Sequence, residues 1–370
     1  MSDLVSIIVP TYNRAYCVAK TIDSALAQTH HNLEVLVVDD GSTDDTATLL
    51  RQRYGSEPRV KCTHQTNAGV SAARNAGLWL AQGNFIALLD SDDLWKPCKL
   101  QVQLRCLQAA PEVGMIWTDM EALDPAGNVV HPRYLHEMYH AYRWFTTGQL
   151  FPVQRPLRAF MADAPAECRD ATLFVGDLFS PMVMGNLVHT STVVLTRARF
   201  EQVGFFDVDL RLAGEDYDFH LRTCRAGPVA FLDVASIQYQ LAFSDRLSQH
   251  LGAVARNFVD TVERTVARER DHIHLPPAMI QTVLAGSHSW LGEELLASGH
   301  KAEAARSFRR SLHYKKMQPR VMLQWLRCQV PELCERAGLA LYRLLKRDAP
   351  APRDYRKEAC SHDLPAAPRA

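Results

Sequence analysis

The sequence predicts an α/β protein, a mostly parallel sheet covered by helices, followed by a helical C-terminal region. Three observations predict it. Short apolar runs rich in branched residues recur early, VSIIV at 5–9, EVLVV at 34–38 and FIALL at 85–89, as strands buried on both faces require. Segments with helical spacing alternate with those runs. After about Ser248 the pattern is almost wholly helical.

VSIIV is stopped by Pro10, and residues 15–28 then place Val18, Ile22, Ala25 and Leu26 on one helical face. The second unit opens with EVLVVDD, after which Ser42 or Thr43 can cap a helix starting with Asp44 and Asp45. Acids in a first turn suit the helix dipole. A third unit joins VKCTHQ at 60–65 to a helix around VSAARNAGLWLAQ, and a fourth starts at FIALLD, 85–90. Ligands of such sheets bind beyond the carboxyl ends of the strands, where Thr11, Asp39, Asp40, Asn67 and Asp90 fall. From about Pro125 to Asn186 the period weakens and aromatic, His and Pro residues crowd in, which reads as a variable insertion. A strand is expected at TSTVVLT (190–196), a helix from Glu215 to Arg225 and a last strand at VAFLD. The expected boundaries are an α/β domain over 1–248 and a helical region over 249–347 with a tetratricopeptide-like hairpin at about 288–318. A disordered tail is expected over 348–370. Gly299 separates the two segments of that hairpin, and a single copy is weak ground for a repeat architecture.

The chain has 370 residues, with 41 basic and 41 acidic side chains. That balance removes the electrostatic case for nucleic acid as a partner. The start MSDLVSIIVP lacks the basic region of a signal peptide, and no stretch reaches the roughly 18 apolar residues needed to span a bilayer. Nine cysteines without CxxC pairs are expected to be reduced thiols. A cytoplasmic protein is expected, touching at most the inner membrane surface through the basic stretches Arg309, Arg310, Lys315, Lys316, Arg343, Lys346 and Arg347. Solvated helix faces are the preferred explanation of those stretches.

Acidic residues recur at strand or loop ends: Asp39 and Asp40, then Asp90, Asp92 and Asp93, then Glu215 and Asp216. Any single pair could be solvated loop residues or helix caps. Their clustering, with Asp90-Ser91-Asp92 directly after FIALL, suggests hard oxygen ligands for Mg²⁺ or Mn²⁺, ions that use one or two carboxylates plus substrate phosphates.

VSIIVPTYNR at 5–14, VVDDGSTDDT at 37–46, TNAGVSAARNAGL at 66–78, LLDSDDLW at 88–95 and GEDYDFHLR at 214–222 resemble, in order and approximate spacing, the family 2 glycosyltransferases, whose fold is called GT-A. The resemblance covers about residues 4–248. It implies an inverting transfer of a sugar from a nucleotide-diphosphate donor, UDP-linked by expectation, to a hydroxyl of a glycan, a lipid-linked intermediate or a protein. Pro10, Thr11 and Tyr12 would line the nucleotide pocket, with Tyr12 stacking on the base. Asp40 would accept the pyrimidine N3–H. Arg74 would help fix base or phosphate, and Asn67 would contact the donor or only shape the turn. Asp92 would be the metal ligand of a DxD pair, with Asp90 contacting ribose or metal-bound water. Asp216 would be the general base, and Glu215 the less favoured candidate, since helix neighbours point in different directions.

The sequence departs from the family where a Tyr-Arg-x-His element commonly follows the base. Here Tyr239-Gln240-Leu241-Ala242 and Ser244-Asp245-Arg246-Leu247-Ser248 lack the metal-binding histidine. Either the metal is held by Asp92, phosphate and water, or Asp245 or His250 replaces the histidine, or metal dependence is weak. The Gln-x-x-Arg-Trp signature of processive synthases is absent, so transfer of one or a few sugars is expected. Trp95 has a positional argument for stacking on a sugar, while Met182, Met184 and His189 read as core or acceptor-pocket residues. The alternative to an enzyme is an inactive scaffold whose helical region docks a partner.

Overall fold

The computed structural model describes residues 3–241 and 250–329. The expected tail at 348–370, Asp245 and the basic residues Arg343, Lys346 and Arg347 lie outside the described residues. Among the described residues, eleven strands join in one mixed sheet, whose main path runs β3-β2-β1-β4-β10-β6-β11-β9-β8. The strands are β1 (Val5–Thr11), β2 (Leu33–Asp39), β3 (Val60–His64), β4 (Phe85–Leu88), β5 (Leu94–Trp95), β6 (Met115–Leu123), β7 (Val129–His131), β8 (Val153–Pro156), β9 (Thr172–Gly176), β10 (Val194–Thr196) and β11 (Val229–Gln240).

The N-terminal half is the expected parallel core. β1 pairs in parallel with both β2 and β4, and β2 with β3. Its connections are α1 (Val18–Leu26), α2 (Thr46–Tyr54) and α3 (Val70–Leu80). Every residue of β1 and β2 is buried, the reason their sequences are continuously apolar rather than alternating. Gly77 lets α3 lie close on β1, because a Cβ there would sit 2.7 Å from Cγ2 of Ile8. α2 begins at Thr46, later than the expected cap at Ser42 or Thr43. The hydroxyl of Ser42 instead accepts the Asn13 N–H, and Asp44 accepts from Thr46 N–H and Oγ1. These bonds tie the β1 and β2 ends together.

Beyond β4 the sheet becomes mixed. β10 is antiparallel to both β4 and β6, while β11 runs parallel to β6 and antiparallel to β9. The weakly patterned stretch from Pro125 to Asn186 therefore does more than insert a loop: β8 and β9 come from it and extend the sheet. It also carries the short helices α5 (Leu135–Met138), α6 (Thr147–Leu150) and α7 (Phe179–Val183), and Met182 and Met184 are buried in its packing. α4 (Lys99–Ala109), α8 (Arg197–Val203) and α9 (Glu215–Arg225) complete the layers.

α10 (Leu251–Arg268) belongs with this first compact unit, residues 1–283, rather than with a separate region starting at 249. Its Arg264 pairs with Asp218 of α9 at 2.6 Å, and its Asn257 donates to the carbonyl of Ala213 at 2.6 Å. The second unit starts at Leu284, inside α11 (Pro277–Ala297). Within it, α11 and α12 (Lys301–Tyr314) form an antiparallel hairpin turned at Gly299, whose φ of 82° suits glycine. The Phe308 ring lies against Gly292, and Ser307 and Ser311 donate to the carbonyls of His288 and Ala285. α13 (Pro319–Gln329) follows. No helix among the described residues is long and apolar enough to cross a membrane.

Candidate active site

The acidic motifs meet at the carboxyl ends of β1, β2 and β4, facing the start of α9. Two of them turn out to build the site's walls. Asp39 accepts the Ser42 N–H and pairs with His64. Asp40 is 3 % exposed; its Oδ1 accepts from Gln65 Nε2 at 2.7 Å and from Ala68 N–H at 2.9 Å, and its Oδ2 from Gly69 N–H at 2.9 Å. With three of about four acceptor positions used, one is left for a ligand. Asn67 donates to the Asp40 carbonyl and so holds the same turn. Gly69, at φ 93°, then launches α3.

α3 carries Arg74 into the centre. Its Nη2 donates to Asp90 Oδ1 and its Nη1 to Glu215 Oε1, both at 2.7 Å, with its guanidinium 5.2 Å from the Phe206 ring centre. This one cation joins the β4 end to the α9 start. Burial alone would raise the Asp90 carboxyl; the Arg74 guanidinium overrides it and holds Asp90 below its usual value. Burial pushes Glu215 up against the opposing pull of Arg74, and adjacent Asp216 adds to the rise. The Glu215 side chain is 7 % exposed, with one oxygen committed to Arg74. Asp216 differs: it is half-buried, its Oδ1 accepts the Tyr217 N–H at 2.8 Å, and Oδ2 meets only the Asn186 amide at 3.4 Å among the hydrogen bonds of the described residues. Burial raises its carboxyl, with Arg74 opposing. Gly214, at φ 83°, makes the sharp entry that sets both acids at the helix start. The third acid there, Asp218, is taken by Arg222 and Arg264.

The acid triplet is held from below. Asp93 N–H closes a turn on the Asp90 carbonyl, Asp90 N–H donates to Ser191 Oγ, and Cys17 and Thr21 both donate to the Ser91 carbonyl. Asp92 is partly exposed, whereas Asp93 is buried and pairs with His189 Nε2 at 3.2 Å. His189 is therefore part of the site rather than core filling. Burial would lower its imidazole, but Asp93, Asp90 and Asp216 together raise it. Tyr139, from the insertion, reaches His189 Nδ1 with its hydroxyl at 3.3 Å. Nothing in the sequence flagged Tyr139 or Asn186, because neither belongs to a motif.

Trp95 does not offer a stacking face. It is 5 % exposed, its indole N–H donates to the Ser191 carbonyl, and Lys99 Nζ lies 4.1 Å from its ring centre. Its closeness to the acids in sequence translates into support beneath them. On the nucleotide side, Pro10 is buried in β1 and Tyr12 is 44 % exposed, open to a ring placed on it. Thr11 Oγ1 and Arg74 Nε are buried without a partner among the described residues.

No group of three or more His, Cys, Asp or Glu side chains among the described residues could hold a metal ion. His250, exposed at the start of α10, belongs to no such group. The donors that remain are carboxylate oxygens at the β4 end, which suit a hard cation whose other ligands come from a diphosphate and water.

Residues 6–160 match the family model described as glycosyl transferase family 2. The chain is similar to the chondroitin synthase of Escherichia coli, 34 % identical over 154 residues, which are 39 % of this chain and 22 % of that protein. It is also similar to an uncharacterized glycosyltransferase of Rickettsia typhi, 30 % identical over 231 residues, 62 % of this chain and 61 % of the other. The chain thus spans less than two thirds of the length of either. In fold it resembles S. aureus TarS 1-349, solved in complex with UDP-GlcNAc, with a TM-score of 0.54, 19 % identity and coverage of 88 % of this chain and 79 % of that one. Five ordered motifs, a mixed GT-A sheet and the match over residues 6–160 agree on a glycosyl transferase family 2 region in this chain.

Proposed function

We propose that the protein is an inverting transferase that moves a sugar from a nucleotide diphosphate donor, of the UDP class, to a hydroxyl of a growing polysaccharide or related glycan. The observation that carries this reading is the different placement of the two acids at the start of α9. Glu215 is buried and tied to Arg74, whereas Asp216 is partly exposed, its Oδ2 meeting only a long bond from the Asn186 amide among the described residues. In a single displacement the acceptor oxygen attacks the anomeric carbon, Asp216 takes the hydroxyl proton, and the bond from that carbon to the diphosphate oxygen breaks. Burial raises the affinity of Asp216 for a proton, as a base working near neutral pH needs.

Tyr12 would stack on the base, Thr11 Oγ1 would find its missing partner on the nucleotide, and the remaining lone pair of Asp40 would accept the pyrimidine N3–H. Asn67 and Arg74 would act on the donor indirectly, Asn67 by fixing the Asp40 turn and Arg74 by fixing Asp90 and Glu215. Asp92, with Asp90 beside it, would hold Mg²⁺ or Mn²⁺, and such an ion supplies charge neutralisation at the leaving diphosphate. With so few protein ligands, Mn²⁺ should bind weakly alone and more tightly with UDP present. Calorimetry with and without UDP reads this directly. The similarity to a chondroitin synthase supports a polysaccharide acceptor.

The test is donor turnover, after a screen of nucleotide sugars by thermal stabilisation and hydrolysis. Asp216→Asn should lose about 10²–10⁴-fold in rate, and Asp92→Ala should lose both rate and the UDP-dependent Mn²⁺ signal. Wild-type rates in both variants would overturn the proposal. Partner binding without any affinity for UDP would favour a scaffold instead.

A further inference from the structure

We propose that Asn186 is a positioning residue for Asp216, fixing the orientation of its carboxylate through Oδ2 and favouring the ionised form. This deepens the reading of Asp216 as the base and rests on it. Asn186 sits where the insertion returns to the sheet, after Gly185, whose φ of 143° favours glycine and where a Cβ would lie 3.2 Å from that of Ala141. Its amide orientation is fixed by chemistry. Oδ1 accepts the Val188 N–H at 3.0 Å, so the NH₂ group must face the other way, and there it meets Asp216 Oδ2 at 3.4 Å. Asp216 Oδ1 is meanwhile bound to the Tyr217 N–H at 2.8 Å. The carboxylate is thus gripped at one oxygen by its own helix and at the other by a neutral donor from a distant element.

The charged and titratable groups facing Asp216 come from every side. Glu215 lies beside it, Arg74 acts from α3, Asp90 from the β4 end, His189 from the segment before β10 and Tyr139 from the insertion. The positive and negative members of this set oppose each other, which leaves a neutral donor able to tip the balance. A donor to the charged form of an acid favours that form, so its removal must raise the affinity for protons. A like charge in its place must raise it further. At 3.4 Å the bond is long, so the expected shift is modest.

The experiment titrates Asp216 itself in the full chain, with no substrate needed. Protein carrying ¹³Cγ-aspartate is followed by NMR from acid to neutral pH, the Asp216 resonance being assigned by its loss in Asp216→Asn. Asn186→Leu should move the midpoint up by about 0.5–1 pH unit. Asn186→Asp should move it up further, and this near-isosteric variant keeps an acceptor for the Val188 N–H, so it carries the test if the leucine variant fails to fold. A role confined to holding the loop would not produce that order. Midpoints in both variants within about 0.2 unit of wild type would overturn the proposal. The two readings fail separately: full transfer by Asp216→Asn sinks the base, while an inactive Asp216→Asn with unmoved midpoints sinks only Asn186.

Discussion

Replacing Arg74 with methionine removes the cation that joins the end of β4 to the start of α9 while keeping an unbranched apolar stem. Arg74 and Glu215 are 5 % and 7 % exposed in their side chains, and Asp90 is 29 % exposed. Breaking a buried ion pair from one side costs about 3–5 kcal/mol, because the remaining charge stays buried and uncompensated. Glu215 bears most of that cost, since Asp90 can still reach water. At about 2 °C per kcal/mol for a unit of this size, the melting temperature should fall by roughly 6–10 °C near pH 8. The penalty must depend on pH in a defined direction. Burial raises Glu215 in the folded protein, so its charged form destabilises the fold above its folded pKa, and loss of Arg74 raises that pKa further. Protonation on lowering the pH relieves the penalty. Asp90, held low by Arg74 in the native protein, contributes stability above its unfolded value near 3.9 and loses it only as pH falls through its lower folded value. In wild type it therefore adds little slope between pH 5.5 and 8, and in the variant, where burial acts without Arg74, its protonation relieves the penalty in the same direction as that of Glu215. Urea unfolding of both proteins at these two pH values should show a deficit that shrinks on acidification. A deficit below about 1 kcal/mol at pH 8, or one that does not change with pH, would refute the argument.

Two further outcomes follow from packing and burial. Gly77→Ala gains up to about 1 kcal/mol of helix propensity but drives a methyl to 2.7 Å from the branched, buried Ile8, so a net loss of about 1–2 kcal/mol is expected in denaturant melts. A stabilised variant would mean that α3 lifts off β1 without cost. Lys99 is fully buried, with Gln103 accepting from its amine at 2.7 Å, and burial holds its pKa well below the usual lysine value despite the Trp95 ring. A base depressed in the fold gains stability as pH rises toward its unfolded value, so the stability difference between Lys99→Met and wild type should shift in favour of wild type by up to about 1.4 kcal/mol per pH unit between pH 7 and 9. A difference that stays constant over that range would show that Lys99 remains charged.

Much of this molecule was legible before its structure. β1 and β2 were readable because buried parallel strands are continuously apolar, and α1 and α9 because they keep a clean helical period. The motifs carrying Asp90, Glu215 and Asp216 do come near one another, Arg74 joining Asp90 to Glu215. β6 (Met115–Leu123) and the extension of β11 to Gln240 were not read, and irregular pairing between Leu232 and Ile237 blurs the alternation in β11. β8, with exposed residues such as Val153 and Pro156, has no buried period at all, and its strand character exists only through pairing with β9. At the site, the same limit hid Tyr139, Asn186 and the Asp93–His189 pair, whose partners lie 30–96 positions away in sequence. The motifs also blurred two kinds of acid: Asp40 stands in a conspicuous DD pair yet uses most of its acceptors on the turn at 67–69.

The central claim is a single displacement assisted by Asp216. Once the screen has identified a donor, ¹H NMR of the first-formed product, recorded in the presence of acceptor, reads the anomeric configuration of the transferred sugar. The account predicts a linkage inverted relative to the donor, formed about 10²–10⁴-fold more slowly by a folded Asp216→Asn. A product of retained configuration, or inversion at an undiminished rate in Asp216→Asn, would contradict it.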